Sequence, residues 1–384
     1  MWVTYRDKFL RRLAAVAAVG AVLAVAGTPA EAISSDSDPV PSFNGTVWAL
    51  AYSGNTLYVG GDFTAAVVRG KTITRNRLAA VNASTGALLS WAPAANGRVK
   101  AIAVSGSSVY VAGNFSTISG QKRDSLARID GSSGAVSSTF KHSISGSPYA
   151  AAAANGRLYL GGTFSAVDGQ SRGRLAAFNL TTGALDAGWR PNVDDQVEAI
   201  TAAGTRVYVG GRFHRVNGAT GYDRLVALDP TSASIVTGFR PHPPVITYGI
   251  AVSSTGVFTA HGGQGGTVNA YTTSGAKRWT ATFDGDGQAV VLLGGAVYVG
   301  GHFDHACRTS RTGPQGTCLD GSMDRIKLAA LSPSDGHLLA WTANANGIEG
   351  VLTMAGSAGL GALAAGGAFT TINGANQKRL AQFG

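Results

Sequence analysis

One short segment recurs seven times along this chain of 384 residues, and it constrains the fold more than any other feature. Its clearest copy is Tyr58-Val-Gly-Gly-Asp-Phe63. The further copies, two of them degraded, are 110–115, 159–164, 208–213, 258–263, 298–303 and 364–369. A unit of about 50 residues that repeats in this way is the signature of a repeat architecture, in which each unit is one supersecondary element.

Each unit contains four short runs with the composition of β-strands. In the second unit these runs are 99–104, 109–115, 126–130 and 135–140. Tight-turn residues separate them, and 54 glycines speak against a mostly helical chain. Four antiparallel strands per unit predict an all-β protein, a seven-bladed β-propeller.

A large aromatic residue ends each unit and is predicted to dock the unit on its neighbour. The seven are Phe43, Trp91, Phe140, Trp189, Phe239, Trp279 and Trp341. The last unit stops at Phe383, one strand short, and the chain begins with an isolated run, 40–43. We therefore expect this N-terminal strand to complete the last blade and to close the ring. The propeller is predicted to be one domain, residues 33–384.

The repeated pattern Val-Tyr-Val-Gly-Gly-x-Phe, followed by Arg-Leu-Ala-Ala and Thr-Gly-Ala-Leu, resembles the delta-60-repeat β-propellers of secreted bacterial proteins. The resemblance covers residues 40–384; it implies the fold and indicates no particular activity. The units are also distantly similar to the tryptophan-docking repeats of quinone-dependent dehydrogenases. Those propellers typically have eight blades and a vicinal cysteine pair, which the chain lacks, and no cofactor is predicted.

Residues 1–32 have the pattern of a secretory signal peptide. Basic residues precede the apolar stretch 13–25, and Ala30-Glu31-Ala32 gives a small-x-small cleavage site after Ala32. The apolar stretch is too short to span a bilayer. We expect a secreted, extracellular protein with no membrane span. The Arg11-Arg12 pair leaves a twin-arginine export route open beside general secretion.

The two cysteines, Cys307 and Cys318, are expected to form a disulfide outside the cell. Together with His302 and His305 they form a conceivable zinc set, but the disulfide would remove both thiolates. The segment Asp284-Gly-Asp286-Gly resembles a fragment of a calcium loop without the remaining ligands. No metal site is predicted.

The seven units can be compared with one another: what all share is scaffold, and what one unit alone carries is a candidate site. The loops between the second and third strands should lie on the same face as the connections between units. Many basic residues occur in these loops, and the net charge is +10. These basic residues either attract an anionic partner or donate structural hydrogen bonds. The structural role is the one expected for residues that recur from unit to unit. The recurring residues are Arg77, Arg174, Arg224, Lys327 and Arg379.

Units five and six depart most from the pattern. Unit five has a short loop, 261–266, and unit six a long one, 304–325, so a notch is expected between them. His302, Asp304 and His305 are candidate catalytic residues if the protein is an enzyme. The predicted ligand-binding residues are Asp62, Asn114, Arg212, Arg215, Gln264, Asp284, Asp286, His302, Asp304, His305 and Arg308.

The function predicted from these features is lectin-like binding of extracellular glycans or anionic cell-surface polymers by the long-loop face. Two alternatives remain open: an extracellular polysaccharide lyase or hydrolase, and a protein-interaction scaffold in a secreted assembly. Nucleic acid is not an expected partner, because the basic loops lack interleaved aromatic residues.

Overall fold

The computed structural model describes residues 33–263 and 265–384, and nearly all of their regular structure is β-strand. The predicted signal peptide, residues 1–32, and the predicted site residue Gln264 lie outside the described residues. In the described part of the chain, the one helical element is the 3-10 turn Pro314–Gly316. No helix found there has the length and apolar character needed to cross a membrane.

Seven antiparallel sheets follow one another in the described residues, and each contains a first, second and third strand paired in that order. We number them sheets 1 to 7. Sheet 1 is Val47–Ser53, Thr56–Gly61 and Leu78–Asn82; sheet 2 is Arg98–Ser105, Ser108–Asn114 and Leu126–Asp130; sheet 3 is Pro148–Ala154, Arg157–Gly162 and Leu175–Asn179; sheet 4 is Val197–Ala203, Arg206–Gly211 and Leu225–Leu228.

The last three sheets repeat this order, and sheet 5 is the largest. Sheet 5 is Ile246–Ser253, Gly256–Gly262, Gly266–Tyr271 and Lys277–Phe283, extended by His305–Cys307 and Ser322–Asp324 of unit six through the pairing of Phe283 with Ala306; sheet 6 is Gly287–Leu293, Ala296–Gly301 and Leu328–Leu331; sheet 7 is Val351–Ser357, Ala362–Gly367 and Leu380–Phe383. The Gly-Gly pair of the repeat ends the second strand, where small residues are needed. A Cβ at Gly61 would lie 2.1 Å from the carbonyl oxygen of Thr46.

The predicted fourth strand is regular only in sheet 5 among the described residues. Elsewhere it is reduced to single bridges, at Leu88, Val136, Leu185, Ile235 and Leu338. In three units a proline follows shortly after the docking aromatic and cannot donate a ladder hydrogen bond. These are Pro93, Pro191 and Pro241, whereas Lys277–Phe283 contains no proline.

Short strands between the second and third strands form hairpins beside the sheets. They are Ala65–Val68 with Lys71–Thr74, Thr117–Ile118 with Gln121–Lys122, Ala166–Val167 with Gln170–Ser171, His305–Cys307 with Ser322–Asp324, and Thr371–Ile372 with Ala375–Asn376. The incoming connections pair with them, as Ser42–Phe43 and Ile144–Ser145 do. The hairpins and connections therefore share one face, as predicted, which we call the loop face.

Large aromatic residues join consecutive sheets, and they fill much of the core. The Trp91 indole N–H donates to the Asp130 carbonyl of the next sheet at 2.9 Å, and Trp189 does the same to Asp229 at 3.2 Å. Trp189 is completely buried. The repeat thus places an aromatic anchor between neighbouring sheets, as the sequence predicted, and Trp91 and Trp189 add a hydrogen bond to this contact.

Phe43 does not belong to this set of anchors, which corrects the sequence prediction. Its strand Ser42–Phe43 pairs with Ala65–Val68 of the hairpin beside sheet 1, and its ring lies 4.4 Å from that of Phe63. The surface of Gly86, where an aromatic anchor preceding sheet 1 would pack, is covered by the Pro39 carbonyl instead. Gly86 has a φ of 68° and leaves no room there for a side chain.

The N-terminal residues that bond to sheet 7 also differ from the prediction. The backbone N–H of Asp38 donates to the Gln382 carbonyl at 2.7 Å, and that of Ser34 to Gly384 at 3.4 Å. Residues 34–38 therefore lie along the strand Leu380–Phe383, whereas the predicted run 40–43 contacts the residues just before it, through the Phe43 N–H that donates to the Lys378 carbonyl at 3.1 Å. The Trp341 indole N–H donates to the Ser34 carbonyl at 3.0 Å. Residues 34–38 thus provide the hydrogen-bond acceptor for the Trp341 indole. For Trp91 and Trp189, the acceptor lies in the unit that follows.

Candidate functional site

The position before the third strand, which is basic in most units, has a backbone role. Six residues share it, each with a left-handed φ of 60° to 69°: Arg77, Ser125, Arg174, Arg224, Lys327 and Arg379. Arg77 shows the pattern, since its N–H donates to the Phe63 carbonyl at 2.8 Å and its carbonyl accepts from Gly61 at 3.0 Å. The position is therefore scaffold, which was one of the two interpretations that the sequence left open.

A second set of arginines donates side-chain hydrogen bonds to the scaffold. Arg75 donates to the carbonyls of Thr74 and Leu89 at 2.8 and 2.7 Å. The corresponding residues are Arg123, Arg172 and Arg325. Burial lowers the pKa of all four guanidinium groups. These four arginines of the loop face thus stabilise the chain segment that follows the third strand. The predicted site residues Arg215 and Arg308, in contrast, are exposed.

Asp284, a predicted ligand-binding residue, also occupies a recurring position. Its Oδ1 accepts the backbone N–H groups of Asp304 and His305 at 2.9 and 2.8 Å. The residues that accept two consecutive N–H groups in the same way in other units are Asn44, Asn96, Asp194 and Asn346. By the criterion of recurrence, Asp284 is scaffold.

The predicted catalytic residues each have a separate partner. His305 Nδ1 lies 2.6 Å from Asp284 Oδ2, and this hydrogen bond raises the pKa of His305 above its ordinary value. Asp304 accepts from the Lys327 ammonium at 2.8 Å. His302 Nδ1 lies 3.7 Å from Asp286 Oδ2. The three residues therefore belong to three different pairs, which involve Asp284, Lys327 and Asp286.

The long loop of unit six folds over the short loop of unit five, so the expected notch is filled. Cys307 and Cys318 form the predicted disulfide. Gly316 lies at the tip of this loop, and a Cβ there would be 2.5 Å from the Gly265 Cα. Both glycines have a positive φ, 82° and 85°. In the described part of the chain, no group of three His, Cys, Asp or Glu side chains is arranged to hold a metal ion.

The first strands of all seven sheets line a central cavity of about 480 Å³. Each of these strands has an irregularity in its register after its first residues, and the extra residue of each β-bulge lines the cavity. These residues are Trp48, Lys100, Tyr149, Glu198, Tyr248, Gln288 and Leu352, which we call the mouth ring. The bulges lie where the connections enter the first strands, so the ring is on the loop face.

Two predicted site residues bind to the mouth ring. Asp62 accepts the Trp48 indole N–H at 2.8 Å and pairs with Arg98 at 2.7 Å. Arg212 pairs with Glu198 at 2.9 Å, and its side chain donates to the Tyr248 hydroxyl at 3.2 Å. The variable residue between Gly-Gly and Phe therefore fixes side chains of the ring.

The same edge of the cavity continues to sheet 6 through Asp286. Its Oδ1 accepts the Gly263 backbone N–H at 2.7 Å, and its Oδ2 accepts weakly from Gln288 at 3.5 Å. Burial raises the pKa of Tyr248, and the negative charges of Glu198 and Asp286 act in the same direction. Asp286 thus belongs to the polar residues around the mouth ring. Asn114, another predicted ligand-binding residue, donates its side-chain hydrogen bond to Ser147 and not to a residue of the ring.

A cation lies over each aromatic residue of the mouth ring. Lys100 Nζ is 3.6 Å from the centre of the Tyr149 ring. Arg98 lies 4.9 Å from Trp48 and Arg212 lies 6.0 Å from Tyr248. Such cation–π pairs fix the ring planes. The mouth therefore presents half-buried aromatic surfaces among alternating acids and bases.

The mouth ring was not predicted from the sequence, although the repeats contain a signal for it. Residues before and after the ring position are small or β-branched in most units, while the ring position itself reads Trp, Lys, Tyr, Glu, Tyr, Gln and Leu. The variable residues of the first strands, like those of the loops, therefore mark a candidate site, and they include Trp48, Lys100, Tyr149, Glu198 and Tyr248.

The chain resembles solved structures at low sequence identity, and one of them is described as a β-propeller. The WD40 β-propeller domain of Doa1 matches with a TM-score of 0.57 and 8% identity, over 90% of this chain and 95% of that one. U3-55K matches with 0.56 and 10%, over 91% and 99%. The computationally designed Ika8 protein matches with 0.51 and 13%, over 91% and 99%. These likenesses show that the fold is a β-propeller.

The sequence comparisons identify the repeat family. No curated protein sequence matches the chain significantly. A family model described as outer membrane protein assembly factor BamB matches residues 17–241, more than half of the chain. The chain therefore belongs to this family of β-propeller repeat proteins, the PQQ_2 family.

Proposed function

We propose that the protein is a secreted glycan-binding module and that the mouth ring is its binding site. One observation carries the proposal: the residues that differ most between repeated first strands converge on one cavity. Three of them are aromatic, Trp48, Tyr149 and Tyr248, and each is half-buried. Aromatic faces bind the apolar faces of sugar rings, and fixed acids and bases bind hydroxyl groups.

We further propose that the seven sheets are seven blades of one closed ring, built from delta-60-type repeats. The first strand of each sheet contacts that of the next sheet, and that of sheet 7 contacts that of sheet 1. Backbone hydrogen bonds from Ser34 and Asp38 to the end of sheet 7 support closure. The Tyr-Val-Gly-Gly-x-Phe segment supports the repeat type.

A glycan microarray with the mature chain tests the binding function. We expect specific signals for the unmodified protein and their loss when Trp48, Tyr149 and Tyr248 are all replaced by alanine. Ile348→Ala is the control, because Ile348 is 91% exposed and does not line the cavity. Absence of any signal for the unmodified protein, or equal signals for the triple variant, would contradict the proposal.

A protein-interaction scaffold is a second candidate, because the description of the matched family is that of an assembly factor. The same cavity could then hold a side chain or a peptide of a secreted partner. A pull-down from culture fluid separates the two functions. A scaffold retains a protein after glycosidase treatment, whereas a glycan-binding module releases its partner when the glycan is removed.

A further inference from the structure

A second concavity on the loop face, at sheet 3, is lined almost entirely by hydrogen-bond donors. Its volume is about 340 Å³, and its side chains are Ser165, Ser171, Arg172, Arg174, Arg190 and Asn192. No acidic residue lines it in the described part of the chain. We call it the arginine pocket. It shares none of its lining residues with the central cavity.

Arg172 forms the buried wall of the arginine pocket. It is 3% exposed and donates to the Ser171 and Asp186 carbonyls at 2.9 and 3.4 Å and to Gln170 Oε1 at 3.3 Å. Its Nε is buried and has no hydrogen-bond partner among the described residues, as in the corresponding Arg75, Arg123 and Arg325. Burial lowers the pKa of Arg172, and the nearby positive charge of Arg190 lowers it further. The scaffold thus holds one guanidinium group in place beside another of like charge.

The two acids nearest to Arg172 do not line the pocket and have partners of their own, although their negative charges partly offset that of Arg172. Asp186 is paired with Arg157 at 2.8 Å, and Asp168 with His142 at 2.7 Å. Arg174 donates through one nitrogen to the Val193 carbonyl at 2.8 Å. An anion bound between the arginines would relieve the repulsion between them.

The corresponding place beside sheet 4 is built differently. Arg240 follows the docking residue Phe239, as Arg190 follows Trp189. Its guanidinium donates to the Tyr222 hydroxyl at 2.8 Å, and Tyr222 stands where Arg172 stands in the preceding unit. Sheet 3 therefore has two arginines at this place, Arg172 and Arg190, whereas sheet 4 has an arginine that is hydrogen-bonded to a tyrosine.

We propose that the arginine pocket binds a tetrahedral oxyanion, the phosphate or sulfate monoester group of a larger ligand. Guanidinium groups donate parallel hydrogen bonds that match phosphate and sulfate oxygens, and the Ser165 and Ser171 hydroxyls add further donors. The proposal does not depend on the mouth ring, because the two cavities have separate linings.

Titration of the mature protein with sodium phosphate, sodium sulfate and sodium acetate at constant ionic strength tests the proposal. The readout is the NMR signals of the arginine Nε–H groups. We expect saturable shifts with phosphate or sulfate, and weaker binding of acetate. Arg190→Ala should weaken phosphate and sulfate binding about tenfold or more, since a charge-assisted hydrogen bond is lost.

Arg240→Ala is the matched control, and it should leave the anion affinity unchanged. Saturation by phosphate alone assigns the pocket to phosphate esters, and saturation by sulfate alone assigns it to sulfate esters. No saturable shift with either anion would overturn the proposal. So would equal affinity for acetate, or an affinity that Arg190→Ala leaves intact. Glycan signals on the array that depend on Trp48 would be unaffected by any of these results.

Discussion

The mouth ring and the loop cluster of sheets 5 and 6 both carry charged and polar residues, but they differ in what the repeat explains. At the loop cluster, Asp284 repeats the backbone role of Asn44 and Asn96. At the mouth ring, the bulge recurs in every sheet while its side chain changes from Trp48 to Lys100. In a repeat protein, a constant backbone with a variable side chain is therefore the better indicator of a site.

The largest expected effect distinguishes Trp189, an anchor between sheets, from Trp48, a residue of the mouth ring. Trp189→Ala should lower the free energy of unfolding by about 3–5 kcal/mol, because a buried anchor leaves a cavity. Trp48→Ala should lower it by less than about 1.5 kcal/mol, the cost of one hydrogen bond and partial burial, while removing glycan binding. Urea denaturation and the glycan array measure the two effects. Equal destabilisation by both variants would contradict the distinction between anchor and site.

The disulfide loop provides the next test, since it lies on the side of the loop cluster. Replacing Cys307 and Cys318 together by serine should cost up to about 3 kcal/mol, as a short closed loop is released in the unfolded chain. Glycan binding should persist because no residue of the loop 304–325 lines the central cavity in the described part of the chain. The unfolding transition and the glycan affinity of the double variant check both statements. Loss of binding without loss of stability would assign the site to the loop.

The pair His305 and Asp284 gives the smallest effect and depends on pH. The hydrogen bond to Asp284 raises the pKa of His305 above 6.5, so the stability it adds is present below pH 6.5 and is lost as pH rises through the raised value. Asp284→Asn keeps an acceptor for two backbone N–H groups, as Asn44 does, but removes the charge. The pKa of His305 should fall, and this part of the pH dependence should disappear.

An NMR titration of the His305 ring measures this pKa in both proteins. Asp286→Asn is the matched control, because Asp286 pairs with His302 and not with His305. An unchanged titration of His305 in Asp284→Asn would contradict the assigned cause of the shift.

Much of the fold follows from the sequence because the repeat states it several times. The strand order, the Trp91 and Trp189 anchors and the shared loop face all appear in the structure. The N-terminal register did not follow, because Phe43 looks like an anchor in sequence. Its position is set by pairing with Ala65–Val68, a contact that no periodicity reveals.

The candidate site was only partly predictable for a related reason. Asp62 and Arg212 are predicted as the variable residues between Gly-Gly and Phe, and Asp286 as part of the connection Asp284-Gly-Asp286-Gly before unit six. Their partners Trp48 and Glu198 lie on first strands that read as ordinary core β-strand, and only the bulges direct them into the cavity. A bulge depends on the pairing of two strands, so single-strand patterns do not show it.

Hydrogen–deuterium exchange with and without the glycan selected on the array tests the central claim most directly. Backbone amides around the bulges lie next to the mouth ring, and a ligand seated there would slow their exchange. We predict protection at residues 47–49, 99–101, 148–150 and 247–249. Protection confined to residues 284–286 and 302–325 would contradict the account, because it would place the ligand on the loop cluster and not in the central cavity.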